Sequence, residues 1–426
     1  MINLEDIRQN TALYRQAIER KRIDLDIDVL LKTDEKLKAA RQKLDQLRQK
    51  RNQLTDQIKK NQTAESADKE VIIARSREIG EQIAAEQIEH DTLEAQFTAL
   101  AAYVPGLPCD DVPDGVGDED NVELRRVGEI PNFQFDARDH MQLAGLHKMV
   151  DQEGARQIAG SRAYALKGMG ALLELAVLRY AFDLVVARRL TPVLPPLMVK
   201  ENAMYGTGYF PLGEDNAYEL GKDKLYLTGT SEVGMMAMHM GQTLDLEEMP
   251  LRFVGMTPCF RREAGSAGRD VKGLYRVHQF QKVEQVVICA NDVETSFKEH
   301  TALLQNAEDI LQALELPYRV VAVCAGEMGL GQVRKHDIET WMPSRNAYGE
   351  THSCSSFHDF QARRLRLKYR DKDGNKIYAH TLNNTAIASP RILIALLENH
   401  QQKDGSIYVP AALRPYLGGR EVLEPV

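Results

Sequence analysis

Apolar residues recur at helical spacing through the first quarter of the chain, set among charged residues. Between residues 28 and 100 they follow alternating steps of three and four, which is the heptad pattern of helices that pack along one another. A polar stretch at 61–68 interrupts the pattern and predicts a turn, so the two helices form an antiparallel hairpin about 45 Å long. The predicted inward positions are Leu37, Ala40, Leu44, Leu47, Leu54 and Ile58 in the first helix and Ile72, Ile79, Ile83, Leu93, Phe97 and Leu100 in the second.

Composition divides the chain into three regions. Residues 1–102 contain the hairpin, which a short helical segment precedes. Prolines, glycines and acidic residues crowd into 103–125, and this predicts a linker. From 126 to 426 short apolar runs alternate with helical patterns, which predicts a larger domain of mixed α and β structure. The predicted inward positions before the hairpin are Ile7, Leu13, Tyr14 and Ile18.

Positive charge is concentrated on the first helix of the hairpin. The whole chain has a net charge of -8, which argues against an indiscriminate nucleic-acid binder. From Lys32 to Lys60, however, ten Lys and Arg residues face four acids, a net charge of +6. This is either an ordinary solvated coiled-coil face or a surface that follows a phosphate backbone. A projecting rod favours the second reading, with these candidate RNA-binding residues: Lys36, Arg41, Lys43, Arg48 and Lys50.

Several classes of protein are disfavoured by what the sequence lacks. It has no run of 18 apolar residues that could span a membrane, and its N-terminus has no apolar signal-peptide centre. We therefore expect a cytoplasmic protein. The five cysteines are widely spaced and form no CxxC pair, which indicates neither a disulfide framework nor a zinc site.

The stretch 260–285, FRREAGSAGRDVKGLYRVHQFQKVEQ, combines cations, carboxylates and an aromatic residue in a predicted hairpin. Its second half, from Leu274, has residue types that suit a strand. A period of two from Arg276 would place His278, Phe280, Lys282 and Glu284 on the same face. Arginine fits phosphate oxygens, a phenyl ring stacks on a base, and glutamate accepts from amino groups. The face is therefore a candidate nucleotide site, although a solvated hairpin with charges paired across its strands would share these features.

Three other segments carry candidate chemistry. Thr230 and Glu232 follow an apolar run, where they place a hydroxyl and a carboxylate at a strand end or simply cap it. Ser389 and Pro390 suit an N-cap and a first helical position, so Arg391 would open a helix. The third segment, 350–364, offers a nucleophilic site (Cys354, His352, Asp359) or a metal pair (His352, His358). We do not favour either, because the histidines lack the spacing of zinc ligands.

The order of these segments resembles the class II aminoacyl-tRNA synthetases, in their seryl form. The pattern FRREAGSxGRDxxGLxRVHQFxKVE is similar to motif 2, and ExxSCSxxxDFQARR and LNxxxxAxxR are similar to the later catalytic segments, the last being motif 3. A predicted helix at 168–189 followed by a short strand and prolines resembles motif 1, a dimer interface. The resemblance covers nearly the whole chain and implies an α+β fold, in which helices flank a class II antiparallel sheet and the coiled-coil arm precedes it.

The resemblance also implies a reaction and its residues. Serine and Mg²⁺-ATP would form seryl-adenylate, and the seryl group would pass to the 3′-terminal adenosine of tRNA(Ser), and by family resemblance of tRNA(Sec), in a homodimer. Arg261 and Arg391 would be catalytic, since cations stabilise charge on the reacting phosphate. Serine would be bound by Thr230, Glu232, Arg261, Glu284, Asn383 and Thr385, ATP by Arg261, Glu263, Arg276, Phe280, Glu350, Ser353 and Arg391, and Mg²⁺ by Glu350 and Ser353, with no zinc.

Five positions depart from the usual pattern of that family: Ser231, Arg262, Asn384, Ala386 and Pro390. Two other classes of function share the same fold. One is a synthetase-like ligase that loads an amino acid onto a carrier protein, and loss of the arm would mark it. The other is a non-catalytic coiled-coil interaction protein, and loss of Arg261, Glu350 or Arg391 would mark it. The arm and all three residues are present, which favours the synthetase.

Overall fold

The computed structural model describes residues 2–60, 66–264 and 273–426. It divides the chain into two compact units, Ile2–Val104 and Pro105–Val426. Among the described residues, every helix is too short or too polar to cross a membrane.

The first unit is helical. Its two long helices pack along each other and confirm the predicted hairpin, with all twelve predicted seam positions buried or half-buried. The predicted turn at 61–68 lies largely outside the described residues, although a helix already includes Ser66. Leu13 is 52% exposed, so the prediction that it faces inward is wrong. The helices are α1 (Leu4–Gln9), α2 (Thr11–Arg20), α3 (Ile27–Lys60) and α4 (Ser66–Ala102).

One ion pair crosses the hairpin next to its apolar seam. Glu86 on α4 is 7% exposed, and the Lys43 ammonium on α3 lies 2.5 Å from its carboxylate. The hydrogen bond and charge of Glu86 raise the pKa of Lys43. Lys43 is therefore partly neutralised within the arm, although its side chain is exposed, as are those of the other four candidate RNA-binding cations on α3.

The second unit combines helices with a large sheet. Its helices are α5 (His140–Leu146), α6 (Gln152–Ala159), α7 (Met169–Ala187), α8 (Glu201–Gly206), α9 (Ser231–Ala237), α10 (Val293–Ala313), α11 (Phe360–Leu365) and α12 (Arg391–Asn399). Its strands are β1 (Val122–Val127), β2 (Thr191–Pro192), β3 (Met198–Lys200), β4 (Tyr218–Leu220), β5 (Leu225–Leu227), β6 (Thr243–Asp245), β7 (Leu251–Phe260), β8 (Gln279–Cys289), β9 (Tyr318–Ala322), β10 (Arg334–Met342), β11 (Ala347–His358), β12 (Lys368–Arg370), β13 (Lys376–Tyr378), β14 (His380–Ser389), β15 (Ile407–Tyr408) and β16 (Val422–Leu423).

The main sheet has eight strands in the order β1-β9-β10-β11-β14-β8-β7-β2. Every neighbouring pair is antiparallel except β2 and β7. Helices α7, α10 and α12 pack on one face and form the main hydrophobic core with it. An antiparallel sheet can carry polar side chains on its other face, because successive side chains point to opposite sides.

Most of the stretch 103–125, predicted as a linker, is held on the second unit. The backbone N–H of Gly106 donates to Leu330, and that of Cys109 donates to Val333. Strand β1 then pairs with β9, so the last residues of the stretch belong to the main sheet.

The predicted helix at 168–189 corresponds to α7, yet two of its leucines face outward. Leu172 and Leu175 are 49% and 62% exposed, whereas Leu173 and Val177 are buried in the core. The helix therefore presents apolar side chains on both of its sides.

Two local predictions are wrong for the same physical reason, namely that a tertiary contact replaces a local one. The strand predicted from Leu274 begins only at Gln279, since the Leu274 N–H donates to the His140 ring and the Tyr275 carbonyl accepts from Arg391. The predicted turn at 264–273 lies mostly outside the described residues. Ser389 ends β14 and does not cap α12, because its hydroxyl donates to Glu174 at 2.6 Å.

Candidate active site

A cavity of about 330 Å³ opens on the face of the main sheet opposite the helical core. On β8, Val283 and Val287 belong to that core, while alternate residues line the cavity. All twelve residues predicted to bind serine, ATP or metal line this one cavity: Thr230, Glu232, Arg261, Glu263, Arg276, Phe280, Glu284, Glu350, Ser353, Asn383, Thr385 and Arg391.

A β-bulge on β11 brings Glu350 to the cavity. Ile338 pairs with His352 and Glu339 pairs with Glu350, which leaves Thr351 as the extra residue. In a regular strand, residues 350 and 353 would point to opposite faces. The bulge shifts this alternation, so Glu350 and Ser353 line the same cavity.

A second bulge, at Ala386 on β14, determines which side chains near the end of that strand face the cavity. Thr385 pairs with Glu284 and Ile387 pairs with Val283, so Ala386 is unpaired with β8. Thr385 and Ala388 both line the cavity as a result, whereas Ile387 is fully buried in the core.

His352 lies between the two bulges on the core side of the sheet. Its Nδ1 is 2.8 Å from the Thr351 hydroxyl, and its ring also contacts the backbone of Ala386. Burial lowers the pKa of His352 to about 4, so the ring is neutral at physiological pH. This ring is 1% exposed and contacts both bulges, so it is suited to joining them.

Two carboxylates lie together at one end of the cavity. Burial and the nearby charge of Glu284 raise the pKa of Glu232 to about 7. Glu284 is 2% exposed, lies 2.5 Å from the Lys282 ammonium and accepts from the Thr385 hydroxyl at 3.2 Å. Gln361, from α11, donates to Glu232 at 2.7 Å. This end of the cavity therefore favours a positively charged group that could lie between the two carboxylates.

Arginines occupy the other part of the cavity. Arg261 donates to the Gly229 carbonyl at 3.2 Å and lies over the Phe280 ring at 5.2 Å. Arg391 donates to the Glu350 carbonyl at 2.7 Å and lies 4.3 Å from the centre of the Tyr275 ring. Both guanidiniums are oriented by carbonyls and rings and line the cavity, and Arg391 also lies 3.8 Å from the Glu350 carboxylate.

Arg276 differs from these two, because it pairs with the Glu263 carboxylate at 3.1 Å. Glu263 follows the end of β7, and both residues line the cavity. A bound nucleotide would meet this pair along with the Phe280 face. The cavity thus contains stacking and phosphate-binding groups side by side.

Glu350 lies among the cations of the cavity, 3.8 Å from the Arg391 guanidinium. Its surroundings partly desolvate it, but Arg391, Lys335, Arg261 and Arg276 together hold its pKa below the ordinary value. Behind it, burial raises the pKa of Asp337 to about 6, and the Lys335 ammonium lies 2.9 Å from Asp337. An ionised carboxylate and the Ser353 hydroxyl on one face fit Mg²⁺, which takes few protein oxygens and keeps phosphate and water ligands.

Sequence reasoning placed Lys282 on this face without giving it a role, and it missed several other residues that line the same cavity. Lys282 and Lys335 balance buried carboxylates, and both lie two residues from their partners on one strand face. The signal available in the sequence was a lysine two residues before an acidic residue on a predicted strand, which places opposite charges on one face. The remaining missed residues are Tyr209, Tyr275, Val277, Gln332, Thr351, Ser355, Ala388 and Ser389.

Four of the five departures from the family pattern lie outside the cavity lining. Ser231 is fully buried, and Asn384 donates to the Leu303 carbonyl at 2.6 Å on the core side. Ala386 forms the bulge, Arg262 faces a different cavity, and Pro390 alone of the five lines this one. Cys354 is fully buried, and burial raises the pKa of its thiol well above the ordinary value, so it is not placed as a nucleophile.

Comparisons with known proteins agree along the full chain. A model described as the seryl-tRNA synthetase N-terminal domain matches residues 1–108, and one described as the tRNA synthetase class II core domain (G, H, P, S and T) matches 217–400. A serine–tRNA ligase of Deinococcus radiodurans is 47% identical over 427 residues, which cover 100% of both chains. The chain belongs to the seryl-tRNA synthetase family. This confirms the resemblance drawn from its motifs.

Solved structures from the same family have the same fold. The seryl-tRNA synthetase from Pyrococcus horikoshii, crystallised with ATP, superposes with a TM-score of 0.88 at 35% identity and covers 100% of each chain. The cytoplasmic serine–tRNA ligase from Naegleria fowleri, in complex with AMP, gives 0.82 at 27% identity and covers 98% of this chain and 96% of its own. These matches confirm the predicted class II α+β fold with its long helical pair.

Proposed function

We propose that the cavity on the main sheet activates serine with ATP and presents seryl-adenylate to tRNA. As a member of its family the chain is a serine–tRNA ligase, a class II aminoacyl-tRNA synthetase. The observation that carries the assignment of roles is the grouping of all twelve predicted residues around one cavity, with carboxylates at one end and arginines at the other.

The serine ammonium would lie between Glu232 and Glu284. The Thr230 hydroxyl and Asn383 complete that end, and Thr385 would face the serine hydroxyl. A site that hydrogen-bonds a substrate hydroxyl rejects analogues that lack one, because its own buried polar groups are then left unpaired. Alanine is therefore the analogue that this arrangement would exclude most strongly.

The nucleotide would lie along the arginine end, with adenine on Phe280 and Glu263 beside it. Arg261 would reach the serine carboxylate and the α-phosphate, Arg276 the phosphates and Arg391 the γ-phosphate. When the serine carboxylate attacks the α-phosphorus, charge grows on the phosphate oxygens, and fixed guanidiniums stabilise it. The reacting groups are both supplied by substrates, so positioning and charge perform the catalysis without a protein nucleophile.

Glu350 and Ser353 would hold Mg²⁺ against the ATP phosphates. A bound Mg²⁺ would neutralise phosphate charge and polarise the phosphoryl oxygens. The cations around Glu350 keep this carboxylate ionised, which is the form that a metal requires.

The basic face of α3 would bind tRNA, and the family N-terminal domain match over residues 1–108 supports this role. Each phosphate that its cations neutralise releases counterions, so binding should weaken with salt. The exposed leucines of α7 support a homodimer, as the resemblance to motif 1 implies, because exposed apolar groups on a helix are candidates for an interface. We expect this reaction to take place in the cytoplasm.

Serine-dependent ATP–pyrophosphate exchange, measured beside charging of total tRNA with labelled serine, alanine and threonine, tests the proposal. Exchange and charging with serine alone are expected. Exchange without charging would instead indicate a ligase that loads another carrier, and the absence of both reactions would contradict the assignment of the cavity.

Substitution of Glu284 by Gln or Thr385 by Val should weaken serine activation selectively. Each change removes a hydrogen bond at a charged group, which is worth about 1.5–3 kcal/mol, so kcat/KM for serine should fall about 10- to 150-fold in exchange. The KM for ATP should stay within about threefold, since neither residue lies at the arginine end. Thr243→Val, on the exposed edge strand β6, is the matched control. Equal losses for both substrates would contradict these roles.

Serine binding should weaken as the pH falls from 8 to 6. Glu232 has a pKa of about 7, raised by burial and by Glu284, so lowering the pH protonates it while the serine ammonium stays charged. One pH unit below that pKa, about nine-tenths of the carboxyl is neutral, and KM for serine should rise up to about tenfold. Glu232→Gln should show a high KM that is nearly constant across this range. A wild-type KM that does not change between pH 6 and 8 would exclude Glu232 as the ammonium partner.

Deletion of residues 32–98, with the ends joined by a short Gly-Ser link, should spare exchange and abolish charging. A gentler variant replaces Lys36, Arg41, Arg48 and Lys50 by Gln, which removes exposed charge and keeps the seam. Its charging should fall at physiological salt, and the salt dependence of tRNA binding should become shallower. The control replaces the exposed acids Glu78, Glu81 and Glu89 on α4 by Gln. Undiminished charging by the deletion variant would refute the role of the arm.

A further inference from the structure

A second cavity, of about 420 Å³, lies in the same unit. Neighbouring residues of the same segments line the two cavities: Tyr209 and Arg261 line the first, and Phe210 and Arg262 line the second. The two cavities therefore share a wall at the end of β7.

The second cavity is built from aromatic rings. Phe210 is 1% exposed, and the Tyr205 and Tyr226 rings meet it edge to face, with centroids 5.5 and 5.1 Å away. Tyr218, from β4, is half-buried and lines the same space. Half-buried tyrosines fixed by packing offer flat apolar surface at little entropic cost, which suits a planar ligand.

Three carboxylates and one guanidinium complete the lining. Glu214 accepts from the Tyr205 hydroxyl at 2.7 Å. Glu201 and Glu219 form no ion pair with any residue that the structure describes, so their oxygens can accept from a ligand. Partial burial and the charges of Glu219, Glu201 and Glu214 raise the pKa of Tyr226, which shows that all three acids act on one ring.

A planar ring with an exocyclic amino group matches this lining. Cytosine has such a group at N4, and Asp and Glu are the side chains that accept from it. Uracil presents an oxygen at the same position, which a carboxylate repels. Single-stranded RNA is recognised in this way, by stacking on aromatic side chains and by hydrogen bonds to base edges.

We propose that this second cavity binds the cytosine base next to the 3′-terminal adenosine of tRNA. All tRNAs end in CCA, and the terminal adenosine must reach the seryl-adenylate, so its neighbour lies one nucleotide outside the first cavity, at the shared wall. The base stacks on the tyrosines, its amino group donates to Glu201 or Glu219, and Arg262 contacts its phosphate. This inference rests on the proposed function.

The acidic lining would act differently on the base and on the phosphate of the bound nucleotide. Carboxylates repel a phosphate, so they favour a pose in which the amino edge points inward and the phosphate stays at the exposed Arg262. The carboxylates also repel the O4 oxygen of uracil, so the cavity should select cytosine over uracil. Stacking on the aromatic rings alone would not distinguish these two bases.

The test compares two serine tRNA transcripts, one ending in CCA and one in CUA. Wild-type protein should charge the CCA transcript with a kcat/KM at least about tenfold higher, as one base-edge contact implies. In the Glu201→Gln/Glu219→Gln double variant the ratio should fall to within about threefold, because a neutral amide can donate to uracil. Glu247→Gln, an exposed acid elsewhere on the unit, should keep the wild-type ratio.

Two further measurements separate this inference from the proposed function and from misfolding. Serine-dependent exchange needs no tRNA and should be unchanged in the double variant; its absence in wild-type protein would refute the proposed function instead. Tyr226→Phe keeps the ring and should charge normally, whereas Tyr226→Ala should raise KM for tRNA. A wild-type protein that charges both transcripts alike, or a ratio that the double variant leaves unchanged, would overturn the inference.

Discussion

The alternation of side chains along three adjacent strands is the constraint on which the active site depends. Strands β11, β14 and β8 must bury one face against the helices, so only every second residue can reach the cavity. Bulges at Thr351 and Ala386 each break this alternation beside the cavity. Without them, Glu350 would point to the core face together with His352, and Ile387 would point into the cavity. The polar site and the apolar core coexist in one sheet because each bulge shifts the alternation by one residue.

Charge is arranged in two opposed regions within the cavity those strands define. Glu232 and Glu284 form an acidic end, which Lys282 only partly neutralises. Arg261 and Arg391 form the basic end. An amino acid carries an ammonium and a carboxylate a few ångströms apart, so in the proposed reaction this separation of charge would orient serine before any specific contact with its side chain. The cost of burying two carboxylates is visible in the pKa of Glu232, and the substrate ammonium would relieve it.

The sequence was sufficient for the coiled-coil seam and for twelve of the residues that line the cavity, and insufficient where tertiary contacts override local preference. Heptad spacing is a local property, so the seam followed directly. The resemblance supplied the cavity residues because motif order is retained in the chain. The late start of β8 at Gln279 and the role of Ser389 depend on partners more than 100 residues away, namely His140, Arg391 and Glu174. The spacing of apolar and polar residues along the chain carries no information about such distant partners.

The way the arginines are held explains how they can stabilise charge on a reacting phosphate. Arg276 is paired with Glu263, so part of its charge is already neutralised. Arg261 and Arg391 also donate to backbone carbonyls, which fix the guanidinium planes, and Arg391 lies 3.8 Å from the Glu350 carboxylate. Because a carbonyl cannot ionise, their orientation is independent of pH. Fixed donors need little reorganisation as negative charge develops, and this preorganisation is what makes such groups effective in catalysis.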